Sequence, residues 1–292
     1  MSCPDCFAGS IHEGQPKGQI TKLHGLDVYV SSPPQEPSRP SNGIVIIVPD
    51  AFGWEFVNNR LLADHYAEKG NFTVYLPEFM NGHPAPLIGL TVIPKLFQGG
   101  VWGWLTKPYW LIRTLQVMLP FLIRNRLGKS WPIVEGLFKA VRENEGSNVP
   151  IGAAGFCWGG KHTVLLAHGG GSNTTTINNN NNNNNKPLID AAFTGHPSML
   201  KFPEDIDKIT IPTSFALAGQ DVTVDASKIE QIQRAIEKQP EEKKGESVIY
   251  PATGHGFCVR ADHITKEKER AAAEAEDQAV AWFLKWFASA VY

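Results

Sequence analysis

The stretch Pro150-Ile-Gly-Ala-Ala-Gly155-Phe-Cys157-Trp-Gly-Gly160-Lys-His-Thr-Val-Leu-Leu-Ala-His168 decides the fold. Residues 150–155 are small and apolar, which suits a strand buried on both faces. Residues 158–168 have helical spacing, so the two elements meet in a tight turn at Cys157. A nucleophile on such a turn needs small neighbours, because its backbone is strained and the helix packs closely beneath it. A cysteine at a helix start also feels the positive end of the helix dipole, which favours the thiolate. The bland alternative is a buried cysteine in a glycine-rich turn.

Outward from this turn, strands alternate with helices. Residues 43–48 are a near-continuous β-branched run ending in Pro49-Asp50, followed by a helix over 57–69 with Gly70 as its stop signal. A strand over 72–76 comes next. Ile133, Val134, Leu137, Phe138 and Val141 then share one helical face, with Pro132 expected in the first turn. Further strands are expected at 188–194, 211–218 and 247–251, and helices at 226–238 and through Ala272, Ala279, Phe283 and Ala290. A short strand over 26–30 is expected at one edge. This alternation implies a mostly parallel twisted sheet with helices on both faces.

Three strand ends besides that of Cys157 carry polar residues. Asp221 follows the strand 211–218 in Ala218-Gly-Gln-Asp221, and His255 follows 247–251 in Thr253-Gly-His255-Gly-Phe257. Catalytic groups in open α/β sheets gather at the C-terminal strand ends. In the nucleophile-elbow fold the acid and the histidine follow the nucleophile in that order. His255 would take the thiol proton, and Asp221 would fix the imidazole tautomer. The third is Pro49-Asp50-Ala51-Phe52-Gly53, whose loop supplies half of an oxyanion hole in this fold. The N–H groups of Ala51 and Trp158 are the expected donors. His196, in Gly195-His-Pro-Ser198, is either a residue at the site mouth or a hydrogen-bonded structural histidine.

These motifs together resemble the dienelactone hydrolase family, the cysteine branch of the α/β-hydrolases. The resemblance is carried by Gly-Phe-Cys157-Trp-Gly-Gly, Gly-Gln-Asp221, Gly-His255-Gly-Phe and Pro-Asp50-Ala-Phe-Gly, with Asn58, Arg60, Ala63 and Asp64 beyond. Residues 25–30 and Pro77-Glu-Phe79 add to it. It implies the α/β-hydrolase fold, a Cys157–His255–Asp221 triad and opening of a small lactone or ester through an acyl-cysteine. The resemblance further places Asp50 and Phe52 as substrate-binding or thiol-tuning residues, with Asp50 where well-known bacterial members have glutamate. Arg260 is its nearest match to an arginine that holds a substrate carboxylate. The alternatives are a broader carboxylesterase or thioesterase, or a non-catalytic binding protein on the same fold.

Composition agrees with one large core. Of 292 residues, 42 % are hydrophobic and 19 % charged, which excludes a wholly disordered chain. A net charge of −2 gives no reason to expect nucleic acid. Four cysteines are too few for a disulfide scaffold, so the expected setting is a reducing, cytoplasmic one. The N-terminus lacks a signal-peptide pattern, and the apolar stretches are too short to span a membrane. No dinucleotide, phosphate-loop or metal-ligand pattern occurs, so no cofactor or metal is expected, and the Cys3/Cys6 pair lacks partners for zinc.

The expected organisation is one domain over 1–292 with a flexible tail over 1–19 and two interruptions. Residues 169–186, with eight asparagines from Asn178 to Asn185, are expected to form a disordered loop. Residues 84–130 are rich in Trp, Leu, Ile and Pro. Leu111, Leu115, Met118, Leu119 and Leu122 share one helical face there, opposite Arg113 and Arg124, and Pro120 is expected to kink the helix. The segment reads as extra packing, as an apolar cap over the pocket, or as a peripheral membrane or partner surface.

Overall fold

The computed structural model describes residues 9–33, 40–96, 99–169, 176–177, 186–261 and 265–290. The strands are β1 (Gln19–Leu23), β2 (Leu26–Ser31), β3 (Ile44–Val48), β4 (Thr73–Pro77), β5 (Ile151–Phe156), β6 (Thr176–Ile177), β7 (Lys186–Pro187), β8 (Ala191–Gly195), β9 (Thr213–Ala218) and β10 (Glu246–Tyr250). The helices are α1 (Val57–Gly70), α2 (Gly89–Leu96), α3 (Gly100–Arg124), α4 (Leu127–Glu143), α5 (Trp158–Leu166), α6 (Glu204–Asp207), α7 (Ala226–Glu237), α8 (Phe257–Arg260) and α9 (Lys266–Phe287).

Eight strands form one sheet in the order β1-β2-β4-β3-β5-β8-β9-β10, and β6 pairs with β7 separately. From β4 to β10 the pairing is parallel, while the β1–β2 and β2–β4 pairs are antiparallel. The expected α/β-hydrolase architecture is thus borne out. Small residues in β5 let helices close on both faces. A Cβ on Gly152 would meet Phe283 of α9 at 2.5 Å, and one on Gly155 would meet Thr163 of α5 at 2.2 Å. Residues three apart in a strand face opposite ways, so α9 and α5 cover opposite faces.

The register aligns the C-terminal strand ends. Val48 pairs with Gly155, Phe156 with Gly195, Gly195 with Ala216, and Ala218 with Tyr250. The loops after β3, β5, β8, β9 and β10 therefore leave the same end of the sheet.

Several expectations need correction. β2 is not at the edge; β1 is, and its burial pattern is exposed along four of five residues. β8 begins at Ala191 rather than 188, and α1 ends on Asn71 in the left-handed region (φ 53°). α4 starts five residues before Pro132, because Ser130 donates to or accepts from His162 Nε2 at 2.8 Å and Trp131 stacks on that ring. Pro132 lies on its exposed side, where the unpaired carbonyl meets water. α3 buries Gly103, Met118 and Phe121, leaving Leu111, Leu115, Leu119 and Leu122 exposed. The packed side of α3 is set by its neighbours, here the Phe121–Trp158 ring contact at 6.5 Å.

Residues 9–18, read as tail, are tied down. Ser10 donates to Ala261 O at 2.7 Å, Asn58 Nδ2 donates to Ser10 O at 2.9 Å, and Lys17 N donates to Asp64 Oδ2 at 2.7 Å. Asp64 also accepts from Tyr29 and Ser31. Asn58 and Asp64 thus join α1 to β2 and the N-terminal segment. Cys3, Cys6 and the asparagine run 178–185 lie outside the described residues.

Candidate active site

Cys157 sits between β5 and α5 with φ 50° and ψ −109°, a strained left-handed conformation. The turn is this tight because a Cβ on Gly159 would lie 1.9 Å from the carbonyl oxygen of Val48. The backbone around Cys157 is fully used: its N–H donates to Gly195 O at 3.3 Å, and its carbonyl accepts from Gly160 and Ser198, each at 3.0 Å. Its Sγ lies 3.8 Å from the Ser198 hydroxyl, and the side chain is buried.

Asp221 and His255 meet across the ends of β9 and β10. Gln220 N donates to Thr253 O at 2.9 Å, which locks the two loops together. Asp221 Oδ2 lies 2.7 Å from His255 Nδ1, and Asp221 Oδ1 accepts from Thr223 N at 2.7 Å and Thr223 Oγ1 at 2.6 Å. Burial alone would depress the His255 imidazolium. The negative charge of Cys157 and the bond to Asp221 reverse this and push it up to about 10. Burial works to raise Asp221, but His255 and Thr223 hold its carboxyl below the usual range.

Asp50, at the end of β3, is fully buried. Its Oδ1 accepts from Asn59 Nδ2 at 3.0 Å and from Phe52 N at 3.2 Å, and its Oδ2 receives Arg260 Nη1. Burial pushes the carboxyl up, Arg260 draws it down, and Cys157 beside it adds to the upward push. Arg260 is buried too, with its guanidinium 5.1 Å from the Phe52 ring centroid. The expected clamp for a substrate carboxylate therefore has a protein carboxylate as partner. Ala51 and Trp158 follow β3 and Cys157, both buried at this same end of the sheet. His196 has φ 38°, and its ring stands edge-on to His255 at 5.0 Å. Among the described residues neither of its ring nitrogens has a hydrogen-bond partner, so the hydrogen-bonded structural reading does not describe it. Burial, then the positive charges of His255 and Arg260, keep it neutral.

Ser198 and Thr223 add hydroxyls to the site that sequence motifs do not mark. Their only signal is position, two residues after His196 and Asp221 respectively. Cys258 lines a cleft of about 500 Å³ with His12, Leu61 and Ala272, and burial pushes its thiol up. Among the described residues, no group of three or more His, Cys, Asp or Glu side chains is placed to hold a metal.

The sequence profile of the Dienelactone hydrolase family matches residues 26–288. The chain belongs to that family. Its curated relatives include Hydrolase tropI of Talaromyces stipitatus, 29 % identical over 97 % of this chain and 95 % of that protein. Hydrolase pyvD of Aspergillus violaceofuscus is 27 % identical over 95 % of this chain and 94 % of that protein. A putative dienelactone hydrolase from Klebsiella pneumoniae, of known structure, shares the fold at a TM-score of 0.61. It is 18 % identical, with 89 % of this chain and 93 % of that one covered. This dienelactone hydrolase family member is a hydrolase, and the family acts on small molecules. No helix among the described residues is long and apolar enough to cross a membrane.

Proposed function

We propose that this family member hydrolyses a small lactone or carboxylic ester through an acyl-cysteine intermediate on Cys157. The observation that carries this reading is the 2.7 Å Asp221–His255 bond beside a cysteine held at positive φ on a strand-to-helix turn. His255 stays protonated at neutral pH, and in this mechanism the resting nucleophile is the Cys157 thiolate paired with it.

The thiolate attacks the carbonyl carbon, and the oxyanion takes hydrogen bonds from the N–H groups of Ala51 and Trp158. Collapse breaks the acyl C–O bond. His255 gives its proton to the departing alkoxide, which in a lactone remains attached to the acyl chain. Neutral His255 then draws a proton from water, and the hydroxide attacks the thioester. The acid leaves, and the thiolate–imidazolium pair is restored. The sum is lactone plus water to hydroxy acid, or ester plus water to acid and alcohol. Asp221 fixes the imidazole throughout. Asp50 and Arg260 lie beside the thiolate as a neutral ion pair, tuning it rather than binding substrate. The substrate then needs no carboxylate of its own.

The test is a panel of aryl esters, thioesters and lactones assayed with wild type and Cys157→Ala. Turnover by the variant should fall by roughly three orders of magnitude or more. Undiminished hydrolysis by Cys157→Ala would overturn the mechanism.

A further inference from the structure

α3 turns its apolar side to solvent. At about 3.6 residues per turn, Gly103, Met118 and Phe121 share the side that packs inward. The opposite side presents Val101, Leu105, Ile112, Leu115 and Leu119, all exposed. At the N-terminal end Trp102 and Trp104 are 81 % and 71 % exposed. Exposed Leu111, Trp104 and Leu122 widen the strip on one flank and Trp102 on the other; Lys107 lies beyond the first flank, and Arg113 and Arg124 beyond the second. Lys95 of α2 lies over the half-buried Trp110 ring at 4.6 Å.

The charge of the region has one sign. Of the 27 basic and 29 acidic residues in the chain, six basic and no acidic residues fall between positions 79 and 134. A second copy of the chain docking through this strip would set cationic margin against cationic margin, which opposes association. An apolar strip with cationic borders and tryptophans at one end matches a helix lying in the headgroup plane of an anionic bilayer. The stems of Lys107, Arg113 and Arg124 would follow the apolar strip while their charges reach lipid phosphates.

We propose that α2 and α3 form a docking surface for anionic phospholipid membranes. The protein lies on the bilayer with the α3 strip among the headgroups and does not cross it. The Phe121–Trp158 contact and the Trp158 Nε1 bond to Asn125 O at 3.2 Å place the opposite, packed side of α3 against the nucleophile turn.

Vesicle cosedimentation tests the proposal, with phosphatidylcholine alone or mixed with phosphatidylserine. Wild-type protein should pellet with the mixed vesicles, release at raised salt, and remain in solution with phosphatidylcholine. The double variant Ile112→Glu/Leu119→Glu should lose binding at least about tenfold, at unchanged melting temperature. The triple variant Lys107→Gln/Arg113→Gln/Arg124→Gln should lose on the order of a hundredfold. Equal binding to both vesicle types, or to neither, would overturn the proposal. So would a salt-resistant wild-type dimer that Ile112→Glu/Leu119→Glu converts to monomer and that binds no vesicles.

Discussion

His255 holds a proton where a free imidazole would not. Its folded value is pushed to about 10 against an ordinary 6.5. Below 6.5 both folded and unfolded chains carry this proton, so its contribution to stability is fully present. As pH climbs through about 10 the folded chain loses the proton, and that contribution is gone. Asp221 runs the other way: its folded value is lowered, so its contribution is present above the ordinary 3.8 and is lost as pH falls through the folded value. Nuclear magnetic resonance of the ring nitrogens should find His255 as imidazolium at neutral pH, titrating near 10. The Cys157→Ala variant should titrate markedly lower, because the thiolate is the largest influence raising it. An unshifted His255 in that variant would show that the two side chains are uncoupled. Of the candidate residues, Cys157, Asp221 and His255 are readable because each follows a strand inside a glycine-bearing motif. Ser198 and Thr223 are not, because a short hydroxyl acquires a role only once strand register brings its loop beside another.

At the scale of elements, α5 sits where it does because Gly159 admits the Val48 carbonyl. A Gly159→Ala change should cost about 1–3 kcal/mol or more, since backbone cannot shift aside as a side chain can. Gly136, midway along α4, is the matched control, because a Cβ there would meet nothing within 4 Å. Gly136→Ala should stabilise by about 0.5–1 kcal/mol through helix propensity alone. Urea melts of the two variants check both signs. The strands β3 and β5 were legible because both their faces are buried, which leaves uninterrupted apolar runs such as Ile44–Val48. β1 was not, because Gln19–Leu23 is exposed on most of its length and has no apolar alternation to read. The orientation of α3 was equally illegible, since its leucines and isoleucines gather on one side, which a periodicity reading would bury and the structure leaves in solvent.

Across the whole molecule, the N-terminal segment closes against residues 259–261 and α1. Ser10 N and Oγ bond the carbonyls of Arg260 and Ala261, and Asn58 Nδ2 clasps both Ser10 O and Val259 O. Removing residues 1–18 should therefore lower stability by about 3 kcal/mol, from several lost hydrogen bonds at roughly 1 kcal/mol each. It should also slow ester turnover, because the loop that carries Arg260 loses its restraint; a truncated chain with unchanged melting temperature and rate would refute this. The same clasp joins residues about 250 positions apart, Ser10 and Ala261 being separated by 251. A nascent chain meets it late. The β1–β2 hairpin and the early helices can form while synthesis continues, but the backing of Arg260 waits until residue 261 has left the ribosome. Long-range closure of this kind is slow compared with local helix formation. Newly made protein should accordingly pass through a stage that is largely folded and still catalytically silent, with hydrolysis the last property to arrive.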